Sequence, residues 1–273
     1  MSDPFAAQRL DDKVVVVTGS TQGLGAAIAR RAADLGAAGI VVTGRDAARG
    51  QGVCDELGTE AVFVAADLAD PEAGATIVGA CDERFGRLDG LVNAAGLSLR
   101  GTLDDTSVEL WDRLFAINAR APFLLMQHAA RVMRREGRGG SVVNIITMAS
   151  HGGEPLLMGY SASKGALAIL TKNAGYQLQP ERIRVNGLNI GWTATEGEHG
   201  VQTQTGQRGN WLAQADASRP FGRLLRPSDI APMATYLLSD AAAMVTGSVI
   251  DFDQTVHGPY GEHLPATSAA RSS

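Results

Sequence analysis

The sequence predicts an α/β fold in three layers, with a parallel sheet between two sets of helices. Three observations predict it. Short β-branched runs alternate with longer stretches of helical periodicity along the chain. The first run, Val14-Val15-Val16-Val17, is apolar without a break, as a strand covered on both faces must be. The 273 residues carry 33 glycines and 45% apolar side chains, which suits a compact chain with many tight turns and enough length for one α/β domain.

Taken in order, the strand at 14–17 is followed by a helix expected over 23–35. Further strands are expected at 39–43, 61–65, 88–92, 141–146, 183–189 and 248–252. The remaining helices are expected near 46–57, 71–84, 107–136, 159–178 and 227–238. The connection at 192–220 is the exception. It is long, polar and rich in Gly, Gln and Thr, and it reads as a mobile lid over a substrate rather than as core. Residues 1–265 therefore read as a single catalytic domain. The tail 266–273 has nothing to bury and is expected to be disordered.

Composition excludes several function classes. A formal charge of -5 gives no reason to expect binding to nucleic acid or an anionic membrane. No apolar run approaches the roughly 20 residues that span a bilayer, and residues 1–12 carry acids where a signal peptide has its apolar segment. Cys54 and Cys81 stand in separate expected helices without metal-like spacing and read as buried, reduced thiols. His128, His257 and His263 are scattered, so no metal site is expected. A cytoplasmic protein acting on a small molecule is the reading that remains.

The turn after the first strand is Thr18-Gly19-Ser20-Thr21-Gln22-Gly23-Leu24-Gly25, with a helix directly behind it. Gly19, Gly23 and Gly25 permit a tight turn and close backbone approach. The turn and the helix amino terminus at Thr21, Gln22 and Leu24 present free N–H groups, which together suit a dinucleotide pyrophosphate. The second strand ends Thr43-Gly44-Arg45-Asp46. An acid at the strand tip would hold the ribose 2′-hydroxyl of NAD, but that position is Gly44. The Arg45 guanidinium suits the 2′-phosphate of NADP. NADP is therefore preferred over NAD, with two readings open: Arg45 as a solvated loop residue, and Asp46 as the cap of the next helix.

Tyr160 and Lys164 lie four apart in a helical stretch and so share one face. An ammonium beside a phenol favours the phenolate and is expected to draw the tyrosine pKa from about 10 toward neutrality. Such a group is a general acid/base suited to alcohol and carbonyl chemistry.

With the glycine turn, Asn93-Ala94-Ala95-Gly96 after the fourth strand, and Tyr160-Ser161-Ala162-Ser163-Lys164, the chain resembles the short-chain dehydrogenase/reductase family from about Leu10 to Asp253. The resemblance implies a doubly wound Rossmann fold of about seven parallel strands. It also implies a homotetramer or homodimer built through the two long helices. By position, Tyr160 matches the catalytic acid/base, and Lys164 the lysine that lowers its pKa and holds the nicotinamide ribose. Asn118 matches the asparagine that positions a relay water. Asp67 and its neighbour Leu68 match the adenine-contacting segment, while Asn93, Ala94 and Gly96 match the segment beside the cofactor. Gly191, Thr193 and Thr195 match the nicotinamide side, where Thr195 grips the carboxamide.

Two departures stand out. The family's usual serine thirteen residues before the tyrosine is Thr147, which keeps the hydroxyl and adds a methyl; Ser150 is the nearby competitor. The usual Pro-Gly after the sixth strand is Ile190-Gly191, expected to loosen that turn.

Substrate contacts are expected from Ser98, Ser150, His151, Glu154, Trp192, Glu196, Glu198 and His199, a polar set that tilts toward a sugar, polyol or similar alcohol. The function expected is an NAD(P)-dependent oxidoreductase interconverting a secondary alcohol and a carbonyl. The alternatives are a 3-oxoacyl or other ketone reductase and a non-catalytic NADP-binding sensor. A nucleotide-sugar epimerase would need a longer carboxyl-terminal region, and an enoyl reductase would alter the Tyr–Lys spacing.

Overall fold

The protein, a computed structural model, is described over residues 5–204 and 209–256. Seven strands form one sheet: β1 (Val14–Thr18), β2 (Gly39–Gly44), β3 (Glu60–Ala65), β4 (Gly90–Asn93), β5 (Gly140–Thr147), β6 (Ile183–Ile190) and β7 (Val249–Phe252). They lie in the order β3-β2-β1-β4-β5-β6-β7, and every pair is parallel. The chain reverses its direction of travel across the sheet between β1 and β4. At such a switch point the loops at the carboxyl ends of the strands part, and a crevice opens.

The valine run of β1 shows why the sheet is covered on both sides. Val15 and Val17 face one core with Ile40, Val42, Ile28 and Ile230. Val14 and Val16 face the other with Val41, Ile77 and Leu125. Alternate side chains of a strand point to opposite faces, so an unbroken apolar run serves two helix layers. Burial of each valine contributes about 1.5–3 kcal/mol.

The helices are α1 (Gly23–Asp34), α2 (Ala47–Glu56), α3 (Ala73–Phe85), α4 (Val108–Phe115), α5 (Ala121–Glu136), α6 (Met158–Gln177), α7 (Glu196–Gln204), α8 (Trp211–Ala217) and α9 (Pro227–Leu238). Three parts of the chain differ from expectation. The stretch at 107–136 is not one regular helix, because Ala116–Arg120 widens into a π-helical turn between α4 and α5. Such turns occur where a side chain must be re-aimed, and here the turn carries Asn118. The strand expected from 88 begins at Gly90: Asp89 precedes it, taking Val14 N–H on its carboxylate at 2.9 Å and Arg87 in an ion pair.

The third difference is the polar connection at 192–220, which holds two helices, α7 and α8, and a small core of its own. Trp211 and Ala215 are buried there together with Leu224, which follows just beyond the connection. Its polar composition hid this because one tryptophan supplies most of the apolar surface. The tail 266–273 lies outside the described residues, as do His257 and His263. Cys54 and Cys81 are buried and unpaired, and burial pushes the Cys81 thiol up to about 12.

Candidate active site

The glycine turn packs as tightly as its composition suggests. Gly19 has φ +66°, and a Cβ there would lie 2.8 Å from Ala95 Cα; a Cβ at Gly25 would run into the Gly19 carbonyl. Both positions exclude larger residues. Ser20 is structural: its hydroxyl donates to Val17 O at 2.6 Å and accepts from Thr43 N at 3.0 Å. Thr18, which the sequence reading passed over, accepts from Ala94 N and Ala95 N at 3.1 and 3.2 Å and so ties the turn to the end of β4. Gln22 precedes α1 without a side-chain cap on its first-turn amides. Those N–H groups form the kind of cradle that accepts an anion.

At the tip of β2, a Cβ on Gly44 would stand 2.6 Å from the Thr21 methyl. Thr21 thus leaves no room for the acid that grips a 2′-hydroxyl. Asp46 caps α2, accepting from Arg49 N at 3.0 Å. Arg45 is exposed and makes no hydrogen bond or ion pair among the described residues. Arg49, missed in the sequence, donates to Gln22 Oε1 and pairs with Glu196 at 3.6 Å. On the far side of β3, the exposed Asp67 carboxylate accepts from Ala69 N at 3.0 Å and folds the loop there, with Leu68 packed beneath.

Between β4 and β5, Asn93 donates to Asn144 Oδ1 at 2.8 Å, and Asn144 donates to Thr171 at 2.9 Å. Two strands and α6 are joined by this buried chain. Asn118 is fully buried. It clasps the Leu97 backbone in both directions at 2.9 Å and donates to Ser163 Oγ at 3.0 Å. Ser163 in turn donates to Tyr160 O at 2.7 Å. Asn118 and the helix that bears the tyrosine are therefore fixed to each other. Ser163 was legible only as a residue one turn from Tyr160.

Lys164, 3% exposed, donates to Ile145 O at 2.8 Å. A Cβ on Gly96 would approach Lys164 Nζ at 3.4 Å and Asn118 Oδ1 at 3.6 Å. Glycine at 96 thus leaves open space between the two. Burial lowers the Lys164 pKa to about 8. Burial raises Tyr160 to about 12; a hydrogen bond with Thr147 lowers it and the Glu198 carboxylate adds to the rise. The sequence expectation pointed the other way. Desolvation of the phenolate outweighs the lowering by Thr147, and Lys164 is turned to the main chain.

Thr147 ends β5, and its hydroxyl accepts from Ala149 N at 3.3 Å as well as meeting Tyr160. The competitor Ser150 faces away, donating to Asn189 at 3.3 Å. His151 contacts Asp251 at 2.9 Å, so Ser150 and His151 join a network toward β7. Glu154 is exposed and Ser98 half-buried, each in a loop.

In the 192–220 segment, Trp192 Nε1 donates to Glu198 Oε1 at 2.8 Å, and the Trp192 ring stacks on Trp211 at 6.2 Å. Thr195 caps α7 by accepting from Glu198 N at 3.1 Å. A Cβ on Gly23 would lie 3.7 Å from Thr195 Cβ, so the segment reaches over the glycine turn. Thr193 is buried and donates to Gly191 O at 2.9 Å. A Cβ on Gly191 would collide with the Asp253 carboxylate, which packs against this turn.

The comparisons agree with this geometry. A family model described as enoyl-(acyl carrier protein) reductase matches residues 19–257. A short-chain type dehydrogenase/reductase from Mycobacterium marinum superposes with a TM-score of 0.83 at 28% identity, covering 92% of this chain and 97% of that one. The chain belongs to the short-chain dehydrogenase/reductase family. Among its relatives, a sorbitol dehydrogenase of Cereibacter sphaeroides is 34% identical, covering 90% of this chain and 97% of its own. An NADP-dependent (R)-specific alcohol dehydrogenase of Lentilactobacillus kefiri is 32% identical, covering 88% and 94%. As a short-chain dehydrogenase/reductase the protein is an oxidoreductase of small molecules, in a family that uses NAD(P). No helix among the described residues is long and apolar enough to cross a membrane.

Proposed function

We propose that this short-chain dehydrogenase/reductase interconverts a secondary alcohol and a carbonyl on a sugar, polyol or similarly polar small molecule, with Tyr160 as general acid/base. The observation that carries the reading is the convergence of two hydroxyls: Thr147 at the carboxyl end of β5, and Tyr160 on α6, whose pKa Thr147 lowers and whose helix is fixed to Asn118 through Ser163. Two hydroxyls that meet there would both reach one substrate oxygen, Thr147 orienting it and Tyr160 exchanging its proton. Lys164 and Asn118 stand behind, the first to hold ribose hydroxyls and the second to keep a relay water.

The residues fit a dinucleotide. The uncapped amides of α1 and the tight, left-handed turn at Gly19 suit a pyrophosphate. Thr193 and Thr195 would hold the carboxamide, and Asp67 the adenine. When bound, the nicotinamide supplies or accepts hydride. NADP is the preferred form, because Gly44 excludes an acid and Arg45 is unengaged.

A homotetramer is supported by Trp111, Phe123, Ile169 and Tyr176, apolar side chains exposed on α4, α5 and α6. Two buried, unpaired thiols support a cytoplasmic location. The test is a matrix of NADP and NAD against polyols, sugars, ketoesters, 3-oxoacyl thioesters and steroids, followed by nicotinamide absorbance. Turnover confined to apolar ketones or 3-oxoacyl thioesters would remove the polar-substrate reading.

A further inference from the structure

Glu198 sits at the third position of α7, with its amide capped by Thr195. One of its carboxylate oxygens, Oε1, accepts from Trp192 Nε1 at 2.8 Å and from Gln202 Nε2 at 2.6 Å. No hydrogen bond among the described residues ends on the other oxygen, Oε2. Gln202 is itself 4% exposed, and Trp192 is fixed by stacking on Trp211 and by the Arg219 guanidinium 5.4 Å from its ring. The carboxylate is therefore held in place from one side, and its second oxygen is left to accept.

The placement of that oxygen follows from the sheet. Thr147 and Ile190 are register partners at the ends of β5 and β6. Trp192, which holds Glu198, lies two residues beyond Ile190. Glu198 is thereby tied to the loop that leaves β6 beside the end of β5, where Thr147 lies, and its negative charge raises the pKa of the Tyr160 phenol on α6. A fixed carboxylate oxygen in such a place is a strong acceptor for a hydroxyl and repels an anion.

We infer that Glu198 is a specificity-determining residue: its free oxygen accepts a hydrogen bond from a hydroxyl next to the reacting carbon, and it turns away substrates that carry a carboxylate there. This rests on the proposed alcohol/carbonyl reading of the site and narrows its substrate class to neutral polyhydroxy compounds.

The test uses sorbitol and gluconate, which differ at one carbon, with the full-length protein loaded with NADP. Tryptophan fluorescence reads binding and nicotinamide absorbance reads turnover, in wild type and in Glu198→Gln. Glutamine can keep both hydrogen bonds on Oε1, so the segment stays packed while the charge and the free acceptor are lost. Wild type is expected to bind sorbitol at least about tenfold more tightly than gluconate. Glu198→Gln is expected to narrow that ratio about tenfold, through KM more than kcat. An unchanged ratio in Glu198→Gln, preference of wild type for gluconate, or binding of neither compound would overturn the inference. Selective binding without turnover would leave the inference standing and count against the oxidoreductase reading on polyols.

Discussion

Lys164 gives its ammonium to the main-chain carbonyl of Ile145 at 2.8 Å, on the strand that ends two residues later in Thr147. The lysine is thereby a strut between α6 and β5 as well as a charge beside the tyrosine. Its position is costly for an ammonium, since burial lowers its pKa from 10.5 to about 8. Between those two values the unfolded chain holds a proton that the folded chain has lost, so this group makes stability rise with pH across that window. Lys164→Met, which has no charge to desolvate, is expected to gain on wild type at neutral pH. The difference between the two should shift toward wild type by about 2–3 kcal/mol from near pH 7 to near pH 10. Denaturant midpoints at several pH values measure it, and a difference that does not move with pH would contradict the burial argument.

Thr147 is the unusual hydroxyl opposite the tyrosine. Thr147→Val keeps the shape and removes the hydrogen bond, so turnover should fall about a hundredfold or more, while Thr147→Ser should retain most of it. The same bond lowers the Tyr160 pKa. In the carbonyl-reduction direction, where Tyr160 donates its proton, the alkaline limb of the pH–rate profile should therefore lie higher in Thr147→Val than in wild type. A limb that stays in place would separate the two hydroxyls.

Arg45 stands beyond Gly44 with no partner among the described residues. Arg45→Ala is expected to weaken NADP binding about tenfold or more, by loss of a charge-assisted contact to phosphate, and to leave NAD binding within about twofold. Equilibrium titration with each dinucleotide decides it. Equal weakening of both would make Arg45 a general electrostatic contributor.

The layers of the fold were legible because strand and helix periods differ and because Val14 to Val17 could only be covered twice. The glycine turn and the Tyr160–Lys164 pair were legible because tight backbone approach and helical spacing leave marks in sequence. What escaped depends on contacts between distant residues. The π-helical turn at Ala116–Arg120 reflects the clasp of Asn118 on Leu97, and nothing local announces it. The core of the 192–220 segment rests on one tryptophan. The missing acid at Gly44 was visible, but its cause, the Thr21 methyl, belongs to another loop. The direction of the Tyr160 shift was misjudged because spacing reveals a nearby charge and does not reveal how much water burial removes.

The central claim is that Tyr160 exchanges the proton of the reacting hydroxyl. Tyr160→Phe tests it most directly, measured as kcat on whichever alcohol wild type oxidises, beside NADP affinity by fluorescence titration. The account predicts a loss of about a thousandfold or more in kcat, with NADP affinity within about twofold of wild type. Turnover retained within about tenfold, with the dinucleotide bound normally, would contradict it.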